Sequence, residues 1–395
     1  MTYISGKFES YRGINLLAKK ISEIKKKGIP YLDLTVSNPT IAGLSYPENE
    51  IKFALTRNEI FKYYPSPKGL ISARNAISKY YSERGKEVQP ANLYLTAGTS
   101  EAVSHLIKLF CNVGDEILIQ APGYPLYDFI ANLESVVAIK YHLKRKELSP
   151  NSFSYSFDFD ELEAKRSKKT KICIVVQPNN PIGKNLNQKE ADRILEFCKK
   201  YKIILLIDEV FADYTFNHKY IHFNSQDTPV ITMSGFSKVL GLPQLKLSWM
   251  YLEGNKKFQE EAGQALEIIT DTYLSVNTQV MVGASELLSL REKIQDQILS
   301  RIEHNLTLLE EMIRNQKNVS YIKPDGGWYI VLFFQTDFTD EEFCLNLLSQ
   351  KSVYVHPGYM FEFSNEGCYI VISLITSTEV FIEGLRRIAE FIETL

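Results

Sequence analysis

The run Ser234-Gly235-Phe236-Ser237-Lys238-Val239-Leu240-Gly241 sets a primary amine among small and polar residues just after a short apolar stretch. From there Lys238 can reach the end of a sheet, although a lysine after a strand is by itself no more than a solvated side chain. Its companions give it chemistry. Asp208-Glu209-Val210 follows the apolar stretch 203–207, so the Asp208 carboxylate stands at the carboxyl end of a strand, where open α/β sheets bind their ligands. Asn179-Asn180-Pro181-Ile182-Gly183 follows the preceding stretch in the same way. Thr96-Ala97-Gly98-Thr99-Ser100-Glu101 follows a third and opens a helix, which offers an anion free N–H groups and hydroxyls. An amine, a carboxylate, a carboxamide and an anion site thus converge on one set of strand ends.

The elements that must position them form one continuous unit. Short apolar runs at 93–96, 116–120, 136–141, 171–177, 203–207, 230–233 and 245–251 alternate with helical stretches. Runs rich in Ile and Val, apolar on both faces and separated by helices, predict a mostly parallel sheet covered on both sides. From about 255 to 316 the pattern turns to long helices with many i,i+4 charge pairs. A strand pair follows at 320–323 and 328–333, joined by Pro324-Asp325-Gly326-Gly327, whose composition is that of a turn. A helix near 340–350, two more apolar runs and a terminal helix complete a smaller α+β unit. We expect a large domain over 46–285 and a small domain made of 1–45 and 286–395. The lysines at 19, 20 and 25–27 read as the wet face of one amphipathic helix.

Composition bounds the partners. Lys plus Arg is 45 against Asp plus Glu 47, a formal net charge of −2, which argues against a nucleic-acid binder held by electrostatics. With 395 residues, 45% hydrophobic and 23% charged, the chain is long and apolar enough to bury a sizeable core. Cys111, Cys173, Cys198, Cys344 and Cys368 are odd in number and lack the spacing of a zinc knuckle or redox pair. They read as thiols of a reducing compartment. Charges interrupt every apolar run before spanning length and no signal pattern opens the chain, so we expect a soluble, cytoplasmic protein without membrane contact.

Taken together, these segments resemble the class I/II aminotransferase family of fold-type I pyridoxal-phosphate enzymes, over nearly the whole chain. Further matching pieces stand in order: Gly28-Ile29-Pro30-Tyr31-Leu32-Asp33-Leu34, Tyr64-Pro65-Ser66-Pro67-Lys68-Gly69 with Arg74, Gly114-Asp115-Glu116-Ile117, Pro122-Gly123-Tyr124-Pro125, the Pro324–Tyr329 segment, and Pro357-Gly358-Tyr359-Met360-Phe361. The resemblance implies an α/β fold: a large domain with a mostly parallel seven-stranded sheet flanked by helices, and a smaller α+β domain. It also implies a transaminase that moves an amino group between an amino acid or amine and a keto acid. Lys238 would be the Schiff-base lysine for pyridoxal 5′-phosphate, its amine deprotonated near neutral pH, and would carry the substrate's α-proton. Asp208 would keep the pyridine nitrogen protonated so that the ring accepts electrons. Asn180 would donate to the cofactor's 3′-oxygen and lie near the substrate, and Tyr124 would stack on the ring. Gly98, Thr99, Ser100, Ser237 and Lys246 would hold the phosphate, with Tyr64 reaching across from a second subunit of a homodimer.

The chain departs from that family at several places. Lys246 stands where a phosphate-binding arginine is usual, a point charge in place of a planar fork. Val371, in Gly367-Cys368-Tyr369-Ile370-Val371-Ile372-Ser373-Leu374, stands where the arginine for the substrate carboxylate is expected, so either another cation binds that group or the substrate has none there. Arg12 on the N-terminal arm is a candidate replacement. Phe211 replaces a tyrosine that donates to the 3′-oxygen, and Ser37 replaces a glycine on the substrate side. With one donor fewer, the pKa of the lysine-bound cofactor should rise, unless Tyr214 donates instead.

Other residues carry less. His218 and His222 stand at i,i+4 spacing without a third ligand, so no metal is expected. His356, before Pro357-Gly358, is either a substrate contact or a turn residue. The same apparatus also serves β- or γ-elimination and decarboxylation, and a non-catalytic binding protein on this fold is a third reading.

Overall fold

Strands that are apolar on both faces need cover on both faces, and the two sides of the main sheet are filled by alternate residues of the same strands. The computed structural model describes every residue except 1, 2, 12, 14, 217–219, 315, 317, 365, 366 and 395. In chain order its strands are β1 (Leu32–Asp33), β2 (Leu93–Thr96), β3 (Glu116–Ala121), β4 (Val137–His142), β5 (Lys144–Ser149), β6 (Ser152–Ser156), β7 (Thr170–Val176), β8 (Ile204–Asp208), β9 (Val230–Gly235), β10 (Ser248–Glu253), β11 (Val319–Ile322), β12 (Tyr329–Phe334), β13 (Val353–Tyr354), β14 (His356–Pro357) and β15 (Cys368–Ser373). The seven-stranded sheet runs β2-β10-β9-β8-β7-β3-β4. Strand β10 is antiparallel to both neighbours and the other pairs are parallel. Along β7, Ile172, Ile174 and Val176 enter one apolar cluster while Cys173 and Val175 enter another.

Helices close both faces. Thr99–Phe110 buries Val103, Leu106 and Ile107, and Gln188–Tyr201 buries Ile194, Phe197 and Cys198. The second begins in a capping box, in which Asn187 and Glu190 each satisfy the other's backbone N–H. Each expected apolar run becomes a strand within a few residues. The last starts later than its apolar pattern, because Pro243–Leu245 is a 3-10 turn and Lys246 has left-handed backbone, φ 52°. The amphipathic helix expected near the N-terminus spans Leu16–Lys26, with Leu17, Ile21 and Ile24 buried.

A second sheet runs β14-β15-β12-β11-β6-β5, and a separate two-stranded ladder joins β1 to β13. One face of β12 and β15 puts Ile330, Leu332, Ile370 and Ile372 into a cluster with the helices Arg291–Arg314, Asp340–Lys351 and Thr378–Ile392. The opposite face puts Val331 and Val371 into the cluster of Val175 and Ile207, so the two sheets share a core. Strands β5 and β6 were not expected. All six residues of β5 are exposed, which leaves no apolar alternation to read, and β6 shows only Phe153 and Tyr155 on its buried side.

The Pro324–Gly327 turn docks on the ends of the main sheet. Asp325 N donates to Gly183 O at 2.9 Å, Phe216 N to Asp325 O at 2.8 Å and Gly327 N to Tyr214 O at 2.9 Å. The approach is close enough that a Cβ on Gly183, where φ is +68°, would lie 2.4 Å from Gly326 O. Both the handedness and the clash forbid a side chain there. Gly183→Ala should therefore cost roughly 2 kcal/mol or more of stability. Denaturant unfolding of the two proteins checks this.

Candidate active site

Strands β2, β3, β7, β8 and β9 point the same way, so the loops after them meet at one edge. That geometry brings Gly98, Tyr124, Asn180, Asp208 and Lys238 together. Asp208 is buried at the end of β8, where Tyr127 Oη donates to Oδ2 and Val210 N to Oδ1 at 3.1 Å. Burial pushes its carboxyl up to about 6, against the opposing pull of Tyr127 and Lys238. Lys238 lies in the short helix Phe236–Val239, its Nζ 4.5 Å from the Trp328 ring centre and 5.1 Å from that of Phe211. Desolvation among these rings brings its amine down to about 8, and Asp208 alone resists. At neutral pH part of the amine is therefore already a nucleophile.

The helix Thr99–Phe110 begins at Gly98 with no side chain capping it. Lys246 Nζ lies 3.5 Å from where a Gly98 Cβ would stand. Glu101 Oε2 accepts from Ala97 N at 2.6 Å, which keeps that carboxylate on the preceding loop. A phosphate dianion fits such a cradle of free N–H groups, hydroxyls and one cation. Ser237 sits one residue before Lys238, partly buried, where Phe236 N donates to Leu247 O at 2.9 Å and joins the lysine turn to the segment that follows Lys246. Asn180 is buried, and its Oδ1 has no partner. An enclosed carboxamide in that state calls for a ligand, so the residues present fit pyridoxal phosphate at both its ring and its phosphate end.

Tyr124 is 42% exposed over the same edge, and Asp208 and burial both raise its hydroxyl pKa. Ser37 hydrogen-bonds the side chain of Tyr329, itself 6.2 Å from Phe211 ring to ring. Tyr64 stands apart. It is 51% exposed beside exposed Phe61 and Tyr63 and belongs to no core cluster, so it is not a packing residue of its own subunit. Val371 is fully buried, as is Ile370 before it. Arg12 and His218 lie outside the described residues. His222 instead faces Glu209, 4.0 Å from Oε2, and burial holds its imidazole down at about 4.

Tyr214 apart, which the sequence offered only as a donor to the 3′-oxygen, the supporting groups were not read from the sequence. Tyr214, the tyrosine that could have replaced the missing Phe211 hydroxyl, donates to Lys238 O at 2.8 Å and is thereby committed elsewhere. Gln295 Nε2 donates to Val239 O at 2.8 Å and to Asp213 Oδ2 at 2.9 Å, and Arg84 pairs with Asp213 at 3.0 Å. Glu209 accepts from Tyr81 at 2.6 Å and from Tyr220 at 2.9 Å. Tyr127 alone had a local signal. It stands three residues after Tyr124, in the first turn of the helix Leu126–Leu133.

Residues 30–380 match the family model for aminotransferase class I and II. The chain is 26% identical over 386 residues to a glutamate–pyruvate aminotransferase, AlaA, of Escherichia coli K12, covering 95% of this chain and 93% of that protein. An aspartate aminotransferase of Sulfurisphaera tokodaii is 24% identical, with 94% and 92% covered. The crystal structure of an aminotransferase from Escherichia coli superposes with a TM-score of 0.87 at 25% identity, covering 100% and 98% of the two chains. An alanine aminotransferase from Pyrococcus furiosus gives the same score at 23% identity over 99% and 100%, a likeness of fold.

The electrostatics make a test that needs no cofactor. In the cofactor-free protein, Lys238 should titrate near 8, and Asp208→Asn, which removes the one charge that raises it, should move the midpoint lower still. The pH dependence of Lys238 labelling by an amine-reactive reagent, read by peptide mass, reports both values.

Proposed function

The chain belongs to the class I and II aminotransferase family and is a pyridoxal-phosphate-dependent transaminase, and on that premise we propose how its own residues perform the exchange. The observation that carries the reading is the pair of opposed shifts at one edge, Lys238 down to about 8 and Asp208 up to about 6, beside the Gly98 and Lys246 cradle. Bound pyridoxal phosphate supplies an aldehyde and a ring that accepts electrons from the substrate's α-carbon. Lys238 would hold that aldehyde, and its Nζ, neutral in part near pH 8, would move the substrate's α-proton. Asp208 would hold a proton on the ring nitrogen, and Tyr127 and Val210 keep its carboxylate in place. Gly98, Thr99, Ser100, Ser237 and Lys246 bind the phosphate. Tyr124 would stack on the ring, while Asn180 would serve the 3′-oxygen and, with Ser37, the substrate side.

The substrates are an amino acid or amine and a keto acid. We further propose a homodimer with shared sites, to which Tyr64 contributes from the second subunit. The exposed aromatic surface of Phe53, Phe61, Tyr63 and Tyr64 supports this, because a monomer gains nothing by leaving it in water. We propose 46–285 as the unit that binds cofactor, apart from β5 and β6, which join the second sheet, and 1–45 with 286–395 as the unit that covers it. Among the described residues no helix is long and apolar enough to cross a membrane. A cytoplasmic site of action is supported by five free cysteines, four of them buried.

Mixing the loaded protein with a panel of amino acids should bleach the visible absorbance of the lysine-bound cofactor, and a keto acid should restore it. Lys238→Ala should show neither change. Ammonia release without that reversible cycle would point to elimination instead. Phe211→Tyr should lower the pH midpoint of the same absorbance, since the added hydroxyl favours the unprotonated form. An unchanged or higher midpoint would show that the Phe211 position does not govern it.

A further inference from the structure

The face of the second sheet that looks toward the site carries polar groups with nothing to bind. In the antiparallel ladders His356 lies opposite Val371, Val371 opposite Val331, and Ser373 opposite Tyr329. Directly opposed residues share a face, as do residues two apart along a strand. His356, Val371, Val331, Ser373 and Tyr329 therefore form one surface. It is reached from the lysine through Phe211, 5.1 Å from Lys238 Nζ and 6.2 Å from the Tyr329 ring. None of the five is a lysine or arginine, yet His356 Nδ1 and Ser373 Oγ are both enclosed without a hydrogen-bond partner. Ser373 is wholly buried. Two orphaned polar atoms on one face are costly unless a ligand satisfies them.

Building on the transaminase reading, we propose that His356, assisted by Ser373, anchors the carboxylate of the amino-acid and keto-acid substrates and takes up a proton as that carboxylate binds. The groups packed around the imidazole are consistent with the step. Tyr354 and Phe361 present rings at 6.0 and 6.1 Å, and Val371 is apolar. Asp33, the one charged group acting on His356, favours its protonation, and Asp33 is itself held by Thr35 N at 2.9 Å. Burial keeps the free imidazole below its ordinary range, so it is neutral at pH 7 until a carboxylate supplies the counter-charge. Arginine needs no such step because its charge is permanent. The linkage gives a sign: carboxylate binding tightens as pH falls through the range in which the free imidazole is neutral and the bound one is not.

The test uses the loaded protein and an unreactive carboxylate, 3-phenylpropionate. Calorimetry at about pH 7 in buffers of different ionisation heat should show uptake of about one proton per ligand, abolished in His356→Phe. In steady state, His356→Phe should raise KM for a carboxylate-bearing donor roughly 10- to 100-fold with kcat little changed. KM for an amine without a carboxylate should not move. His356→Asn, which keeps a donor but not the charge, should lose the proton uptake and recover part of the affinity. Binding without proton uptake, or equal KM changes for both donors, would overturn the anchor while leaving transamination standing. Failure of the unaltered protein to bind cofactor or exchange amino groups would overturn the underlying reading, and the anchor with it.

Discussion

Taking an amine and a carboxylate out of water at the same sheet edge is the constraint on which the rest of the molecule depends. Either group alone would be expensive to bury, since an isolated ion loses far more solvation than a single hydrogen bond returns. Here the cost is expressed as opposed pKa shifts, a lysine made nucleophilic and an aspartate still able to ionise. Trp328 and Phe211 enforce one side of that balance by excluding water from Nζ, and Tyr127 with Val210 N enforces the other by solvating the carboxylate in place of water.

Holding the balance requires that neither backbone drift, and the polar layer beneath the site serves that need. Tyr214 and Gln295 tie the carbonyls of Lys238 and Val239 to neighbouring elements, and Gln295 is fixed in turn by Asp213, which Tyr80 and Arg84 hold in place. Such bonds contribute only about 1 kcal/mol each in net stability, but a broken one leaves a buried carbonyl unpaired. The layer therefore fixes position more than it adds stability. The Gly183 and Gly326 contact does the same between the two sheets, where backbone bonds and the Asp325 carboxylate, which accepts from Asn185 N and pairs with Lys184, hold the turn that brings Trp328 over the amine.

Much of this was legible in the sequence where a residue's surroundings are local. The main sheet follows from runs of Ile and Val, and each strand-end residue from what precedes it. The anion site follows from a glycine and two hydroxyls at a helix start. Strand β5 was not legible, because an exposed edge strand such as Lys144–Ser149 has no buried side to imprint a pattern. Gln295 and Arg84 were not either, since one meets the site from a helix and the other from a turn, both distant in sequence, and only the tertiary fold brings them there. The same holds for His356. Its place before Pro357 left it either a substrate contact or a turn residue, and its position opposite Val371 is a property of the ladder alone.

The central claim is that the amine at the end of β9 is the one this molecule uses. Borohydride reduction of the pyridoxal-phosphate-loaded protein, followed by digestion and peptide mass spectrometry, tests it most directly. The account predicts that the cofactor mass appears on the peptide containing Lys238 and on no other lysine. Attachment elsewhere, or recovery of every lysine unmodified from protein shown to hold cofactor, would contradict it.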